Sequence, residues 1–466
     1  MNPVLASPAL AYDPSHHALR DLDRLWGTPR PGAIVRAVLA APSAAPERLL
    51  EVSDRRYGFV WDPPAGPSAA GTGAVMTLRV DGASAEARSE QLRRQSERVW
   101  GRLETVPSPG VPMLEPRFYG GLAFDAGAAD QAPWSELGDG CFTLPRFLYV
   151  SDDGGAGLAV CATAEELADD GFRAALAAEV GRILAGLAEA PTETFAPWPA
   201  SALPDAAGDA DWIRRVEAIR GVIAEGEFEK IVAARRSEVK LERPLGAAEV
   251  LRRLSQGLRA STRFAFRRAY TSFLGATPER LITLTGLRFE TEALAGSIES
   301  GGEHAAELLG SGKDRHEQQL VVDAIVRRFE PLCQDLQVAA RPTVRELRDV
   351  LHLHTPIRGT LSRPRHVLEL VEELHPTPAV GGVPTADAMR WIADHETHGR
   401  GWYAAPIGWF DAAGNGEFAV ALRSCVLDGD RAWLFAGAGI VADSDPELEL
   451  QETRLKQHSL LAALRG

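Results

Sequence analysis

Two hydrophobic periods interleave along the chain, one of two residues that marks strands and one near 3.6 that marks helices. In the first half, Ala33–Leu39, Val75–Val80 and Phe118–Phe124 read as strands. The paired Gly120 and Gly121 in the third predict a bulge or a close backbone contact. Leu144–Val150 and Leu158–Ala162 read as a hairpin around Asp152-Asp153-Gly154-Gly155. Helices are expected near 15–25, from the N-cap candidate Ser84 to Leu103, and from Glu165 to Leu187. Residues 191–211 are rich in Pro, Ala and Asp without periodicity and read as a linker or long surface loop. The chain thus divides into 1–190, 191–211 and 212–466, expected to form one structural unit.

The second half is patterned more strongly. Trp212, Val216, Ile219 and Ile223 form one helical stripe ending at Gly226, and a short apolar strand with Lys230 near its start follows. Further strands are expected at Tyr270–Leu274, Phe289–Ser297 and His352–Gly359, with a helix over Lys313–Phe329. Gly401–Asp411 and Glu417–Leu427 read as a hairpin around Ala413-Gly414-Asn415-Gly416. Ala436-Gly437-Ala438-Gly439 reads as a glycine-rich turn before a C-terminal helix, which Ser444 and Glu447 would start as a capping box. Pro446 falls in that helix's first turn, where its missing N–H is harmless.

Composition narrows the class. A chain of 466 residues, 45% hydrophobic and 24% charged, is ordinary globular material with no apolar run long enough for a transmembrane helix. The N-terminal residues lack the basic start and apolar core of a secretory signal, and the four cysteines show no metal-ligand spacing. Both features predict a cytoplasmic protein with reduced thiols. A net charge of −14 argues against nucleic acid or an anionic membrane as partner, so an anionic ligand would need a local cationic pocket or a bridging metal.

Several polar residues stand where chemistry is possible. Lys230 shares a strand face with Val232 and Ala234. Turned inward it would have a depressed pKa and serve as a base; the alternative is a strand-end lysine that snorkels to solvent. Glu279 sits in a rigid Thr-Pro-Glu turn and, if desolvated, would act as a general acid rather than as a plain turn residue. Ser297 and the Gly296 N–H offer donors to a carboxylate, and Glu317 lies on the buried side of its helix, where a carboxylate needs a cation. The small residues beside Arg423 leave room for a carboxylate at its guanidinium. Glu449, Glu452 and Lys456 share one helical face, either solvated or part of a site.

The segments EKIVAAR, GATPERL, EALAGS, KDRHEQ, LHPTPAVGG, RGWYAAPIGW, GEFAVALRS, AGAGIV and ETRLK, in unbroken order over roughly 205–466, resemble the chorismate-utilising enzymes. Among these the chain most resembles the isochorismate synthases. Lys230 carries that distinction, because water-using members have a lysine there and ammonia-using anthranilate synthases generally do not. The resemblance implies an α/β (α+β) fold of two large packed antiparallel sheets with helices outside and the site in the cleft between them. It implies Mg²⁺-dependent conversion of chorismate to isochorismate, by water addition at C2 and loss of the C4 hydroxyl, feeding menaquinone or siderophore biosynthesis. A salicylate synthase would add pyruvate elimination.

By motif, Lys230 would be the base and Glu279 the acid, and Glu317, Glu452 and Glu449 would hold Mg²⁺. Arg423 and Tyr403 would grip the enolpyruvyl carboxylate over a backbone floor of Gly437, Ala438 and Gly439. Lys456, Gly296 and Ser297 would meet the ring carboxylate, with His352 near the hydroxyl end. No glutaminase subunit is implied, and the expected state is a monomer or weak homodimer. One departure is Ile298-Glu299-Ser300-Gly301, which lacks the basic residue many relatives place there and opens what reads as a short loop to Lys313.

Overall fold

A computed structural model describes residues 26–53, 56–82, 85–106, 114–189, 200–202, 206–258, 260–347 and 350–465. The helix expected near 15–25 and the Ser84 cap lie outside these residues. The protein is mixed α/β, and its strands join into one hydrogen-bonded network that branches into two sheets, antiparallel except where Leu103–Val106 runs parallel to Ile34–Ala40.

The first sheet runs, in order of pairing, through Leu103–Val106, Ile34–Ala40, Gly155–Thr163, Gly140–Asp152, Ser68–Val80 and Tyr57–Asp62. It continues through Thr262–Arg268, Thr271–Thr277, Ser424–Asp428, Arg431–Ile440 and Lys230–Leu241. The second branches off the same Gly140–Asp152 strand through Arg117–Leu122, Pro406–Asp411, Gly416–Val420, Arg280–Thr285, Arg288–Glu299 and Val350–Leu361. Strands from the two halves of the chain therefore pair with each other in both sheets.

At the branch, glycine is required by space rather than by conformation. A Cβ on Gly120 would lie 1.9 Å from the Cys141 carbonyl oxygen, and one on Gly121 would lie 2.7 Å from the Trp402 ring. Pairing across these residues is regular, so the Gly-Gly pair marks close backbone contact and not a bulge.

The chain crosses between the sheets at two adjoining places. Thr277–Arg280 links Thr271–Thr277 of the first sheet to Arg280–Thr285 of the second, and Ala421–Arg423 links Gly416–Val420 of the second to Ser424–Asp428 of the first. Beneath them Trp134, Phe273, Phe435, Phe266 and Trp402 pack ring on ring at 5.0–6.3 Å.

Several expected elements change form. The helix expected over Glu165–Leu187 is two, Ala164–Leu167 and Asp170–Ala188, because Thr163 and Glu166 close a capping box on the first while Asp169 caps the second. The helix holding Trp212 begins at Ala206, inside the expected linker. The helix expected to reach Leu103 ends at Trp100, and Leu103 begins a strand. The stretch 298–312 is no loop: the strand runs on to Glu299, and a helix His304–Gly310 packs Leu308 against Leu351 and Leu353.

Candidate active site

A cleft lies between the two sheets, beside the crossings. Pro278, Glu279, Leu422 and Arg423 come from the crossings, Gly296, Ser297 and His352 from the second sheet, and Gly437 and Gly439 from the first. Two helices close it: Gly312–Phe329 supplies Lys313, Asp314 and Glu317, and Pro446–Arg465 supplies Glu449, Glu452 and Lys456.

Glu279 is held by its backbone. Its N–H donates to Thr277 Oγ1 at 3.3 Å, and its carbonyl accepts the Val420 N–H at 3.1 Å. Its side chain is buried, and burial, reinforced by the Glu292 charge, pushes the carboxyl up to about 8 against the pull of Lys230, Arg345 and Lys456. A carboxyl of that kind carries its proton at neutral pH.

Lys230 is only 1% exposed, which excludes the snorkelling alternative. It is not isolated among apolar groups either. Its Nζ pairs with Glu317 Oε1 at 2.8 Å, and Glu317 stands between it and the cavity. Burial raises the Glu317 carboxyl, but the Lys230 ammonium outweighs it and holds Glu317 below its ordinary value. Gly439 lies against this pair: a Cβ there would meet Lys230 Cε at 2.6 Å and Glu317 Oε1 at 2.8 Å.

The expected Ala436–Gly439 turn is in fact the end of strand Arg431–Ile440. Its register with Lys230–Leu241 pairs Gly437 with Ala234 and Gly439 with Val232. Those partners send their own N–H groups elsewhere, Ala234 to Glu396 Oε1 and Val232 to the Gly381 carbonyl. Gly437 and Gly439 therefore turn their backbone groups toward the open edge, where Gly437 O accepts Lys456 Nζ at 2.9 Å. Ala438 has the opposite parity and does not line the cleft.

Arg423 adopts φ +48°, a left-handed conformation rare for a side chain of this size. The expected Glu417–Leu427 strand breaks there because the chain changes sheet partners. The Arg423 carbonyl accepts the Ala276 N–H at 3.2 Å, and its guanidinium reaches the Lys456 carbonyl and His352 Nε2, each at 3.3 Å. On the other edge of the His352 ring, Nδ1 donates to Gly296 O at 3.0 Å and lies 3.1 Å from Ser297 Oγ. Burial first, then the charges of Arg423 and Lys456, hold His352 well below its usual range, so the ring is neutral and its network assigns the proton to Nδ1. Gly296 forms a bulge at φ +68°, not the expected turn, and a Cβ on it would strike Asp314. Tyr403 stacks on Phe435 at 5.4 Å, and burial raises its hydroxyl.

The C-terminal helix is capped by Asp445, whose carboxylate accepts the N–H groups of Glu447 and Leu448; Ser444 instead accepts the Val441 N–H. With Pro446 at the first helical position, the cap has to be the residue just before it. Glu452 pairs with Lys456 at 2.5 Å and Glu449 with Lys313 at 3.4 Å. Burial, then the neighbouring Glu452, pushes the Glu449 carboxyl up.

A family model described as chorismate binding enzyme matches residues 30–465. The chain belongs to the chorismate-binding enzymes. It is 38% identical over 366 residues to the salicylate biosynthesis isochorismate synthase of Pseudomonas aeruginosa, covering 75% of each chain. It is 34% identical to the isochorismate synthase MenF of Bacillus subtilis, again over 75% of each. The solved menaquinone-specific isochorismate synthase MenF of Escherichia coli superposes with a TM-score of 0.77 at 27% identity, over 96% of this chain and 99% of that one.

Within this chorismate-binding enzyme, the cleft also contains residues that sequence pattern did not single out. Arg400 donates to the Val380 and Val232 carbonyls at 2.7 and 2.8 Å and pairs with Glu396, tying the Lys230 strand to the Tyr403 turn. Lys313 and Asp314 lie one turn before Glu317, and that spacing was the available signal. Glu292, Arg345 and His354 cluster beside Glu279, with nothing in local spacing to announce them.

Among the described residues no group of three or more His, Cys, Asp or Glu encloses an ion by itself. The acid donors are all oxygen, however, and the crowding of Glu449 by Glu452 is a charge that a cation would relieve.

Proposed function

We propose that the chain is an isochorismate synthase, converting chorismate to isochorismate by adding water at C2 as the C4 hydroxyl departs. The observation that carries this reading is Glu279, a buried carboxyl that keeps its proton to about pH 8, in a cleft that also holds Arg423, Lys456 and Lys313, with the buried Lys230 behind Glu317. A protonated carboxyl can deliver a proton to a leaving hydroxide, the more difficult half of the reaction at neutral pH.

Lys230 acts as the base in its neutral amine form: having left its contact with Glu317 and released its ammonium proton to solvent, it takes the proton from the attacking water. Arg423 and Tyr403 hold the enolpyruvyl carboxylate, and Lys456 with the Gly296–Ser297 backbone holds the ring carboxylate. Neutral His352, donating from Nδ1 to Gly296, keeps Nε2 on the Arg423 side and steadies that guanidinium. Glu317, Glu449 and Glu452 would hold Mg²⁺, which when bound would neutralise the charge of the ring carboxylate. A lysine serving water calls for no ammonia-supplying subunit.

Incubation with chorismate and Mg²⁺, followed by product separation, tests the reading. Isochorismate without pyruvate is expected, and turnover should stop on chelation. Lys230→Ala and Glu279→Gln should each lower kcat by on the order of 10²–10⁴ with chorismate affinity largely kept. Salicylate and pyruvate in equal amounts, or near-normal turnover in either variant, would overturn it.

A further inference from the structure

Glu279 sits in the crossing Thr277–Arg280, and both of its flanking peptides are tied to one ion-paired cluster on the second sheet. Arg345 Nη1 donates to the Pro278 carbonyl at 3.0 Å, on one side of Glu279. On the other side, Glu292 Oε1 accepts the Arg280 N–H at 3.0 Å. Arg345 and Glu292 are joined by two parallel hydrogen bonds of 2.6 and 2.8 Å, and His354 Nε2 completes the cluster at 3.0 Å from Glu292 and 2.7 Å from Arg345. Glu292 is 9% exposed and comes from the Arg288–Glu299 strand, Arg345 from the short strand Thr343–Glu346, and His354 from Val350–Leu361.

We propose that Glu292, locked by Arg345 and His354, is the positioning residue for the catalytic acid: it fixes the peptide on either side of Glu279 and sets a negative charge behind its carboxyl. This inference rests on the isochorismate synthase reading of the same cleft.

The clamp works because it is both bidentate and buried. Against the cost of burial, the hydrogen bonds from His354 and Arg345 hold Glu292 ionised, down at about 2. Glu292 is therefore a permanent charge over the working pH range, and it acts on Glu279 together with burial to keep the proton on. The charges opposing it are those of Lys230 and Lys456 and of Arg345 in the clamp itself, and the Tyr403 hydroxyl faces the same carboxyl. Glu292 does not line the cleft, so its removal should alter when Glu279 loses its proton and how well it is aimed, and leave substrate affinity alone.

The test is the pH dependence of kcat for purified enzyme turning over chorismate with Mg²⁺. Glu292→Gln should move the alkaline limb to lower pH by about one unit, with KM within threefold of the parent. Glu292→Asp, which keeps the charge, should hold the limb where it was. Glu292→Gln with substantial turnover and an unmoved limb would overturn the proposal, as would a Glu292→Asp limb shifted equally. If Glu292→Gln does not accumulate as folded protein, Arg345→Lys decides. It keeps a cation but cannot hold both Glu292 oxygens and the Pro278 carbonyl, so kcat should fall at least tenfold at unchanged KM. An unchanged kcat would overturn the clamp. Failure of the parent enzyme to make isochorismate would instead sink the reading on which this rests.

Discussion

In its proposed role as the acid, Glu279 enters the reaction protonated, and the pH at which it stops doing so is set by its surroundings. With its carboxyl pushed up to about 8, kcat/KM should fall along an alkaline limb near that pH. A rate profile across pH 6–10 checks this, and Glu279→Gln should lose the limb along with most of the activity. The linkage to stability has a definite sign. Because the folded carboxyl holds its proton to about 8 while an unfolded one releases it near about 4.3, this group's stabilisation is complete below that lower value and is lost as pH rises toward 8. Glu292 has the opposite sign: held down at about 2, it stabilises the fold above the unfolded value and stops doing so as pH falls toward 2. The rigid Thr-Pro-Glu turn made Glu279 legible in sequence. Glu292 was not legible, because its partner Arg345 lies 53 residues away and no local period connects them.

At the scale of elements, the glycines of strand Arg431–Ile440 separate catalysis from stability. Gly439→Ala places its Cβ against the flexible ends of Lys230 and Glu317, which can shift. It should lower kcat roughly tenfold or more through misplacement of the base while the melting temperature holds. Gly437→Ala instead meets the Ala233 backbone oxygen at 2.6 Å, which cannot give way, and should cost about 1–3 kcal/mol in denaturant unfolding. The sequence pattern read these glycines as a turn, since glycine marks turns and places of close backbone approach alike. The C-terminal helix shows the same ambiguity: two adjoining residues can each cap, and only the backbone shows that Asp445 does. Asp445→Ala should destabilise the protein by about 1 kcal/mol, read as a lowered melting temperature, whereas Ser444→Ala removes no helix cap.

Across the whole molecule, the site exists because the chain passes twice between two sheets at neighbouring points. One crossing carries the proposed acid Glu279 and the other the left-handed Arg423, and the two are stitched together by Val420, whose N–H donates to Glu279 O and whose carbonyl accepts from Thr277 Oγ1. The helices holding Trp212 and Glu317 and the strand that starts at Lys230 could be read from period alone. The crossings could not, because partner choice between sheets is a long-range property that alternation along one strand does not encode. An acidic protein of net charge −14 thereby gathers Arg423, Lys456, Lys313 and Arg400 around one cleft, fit for a dianion that the rest of its surface would repel. The central claim is that water enters at C2 as the C4 hydroxyl leaves. Turnover of chorismate in ¹⁸O-labelled water, followed by mass spectrometry and carbon NMR of the isochorismate, tests it most directly. One solvent oxygen, located at C2, is the predicted result; isochorismate carrying no solvent oxygen would contradict the account.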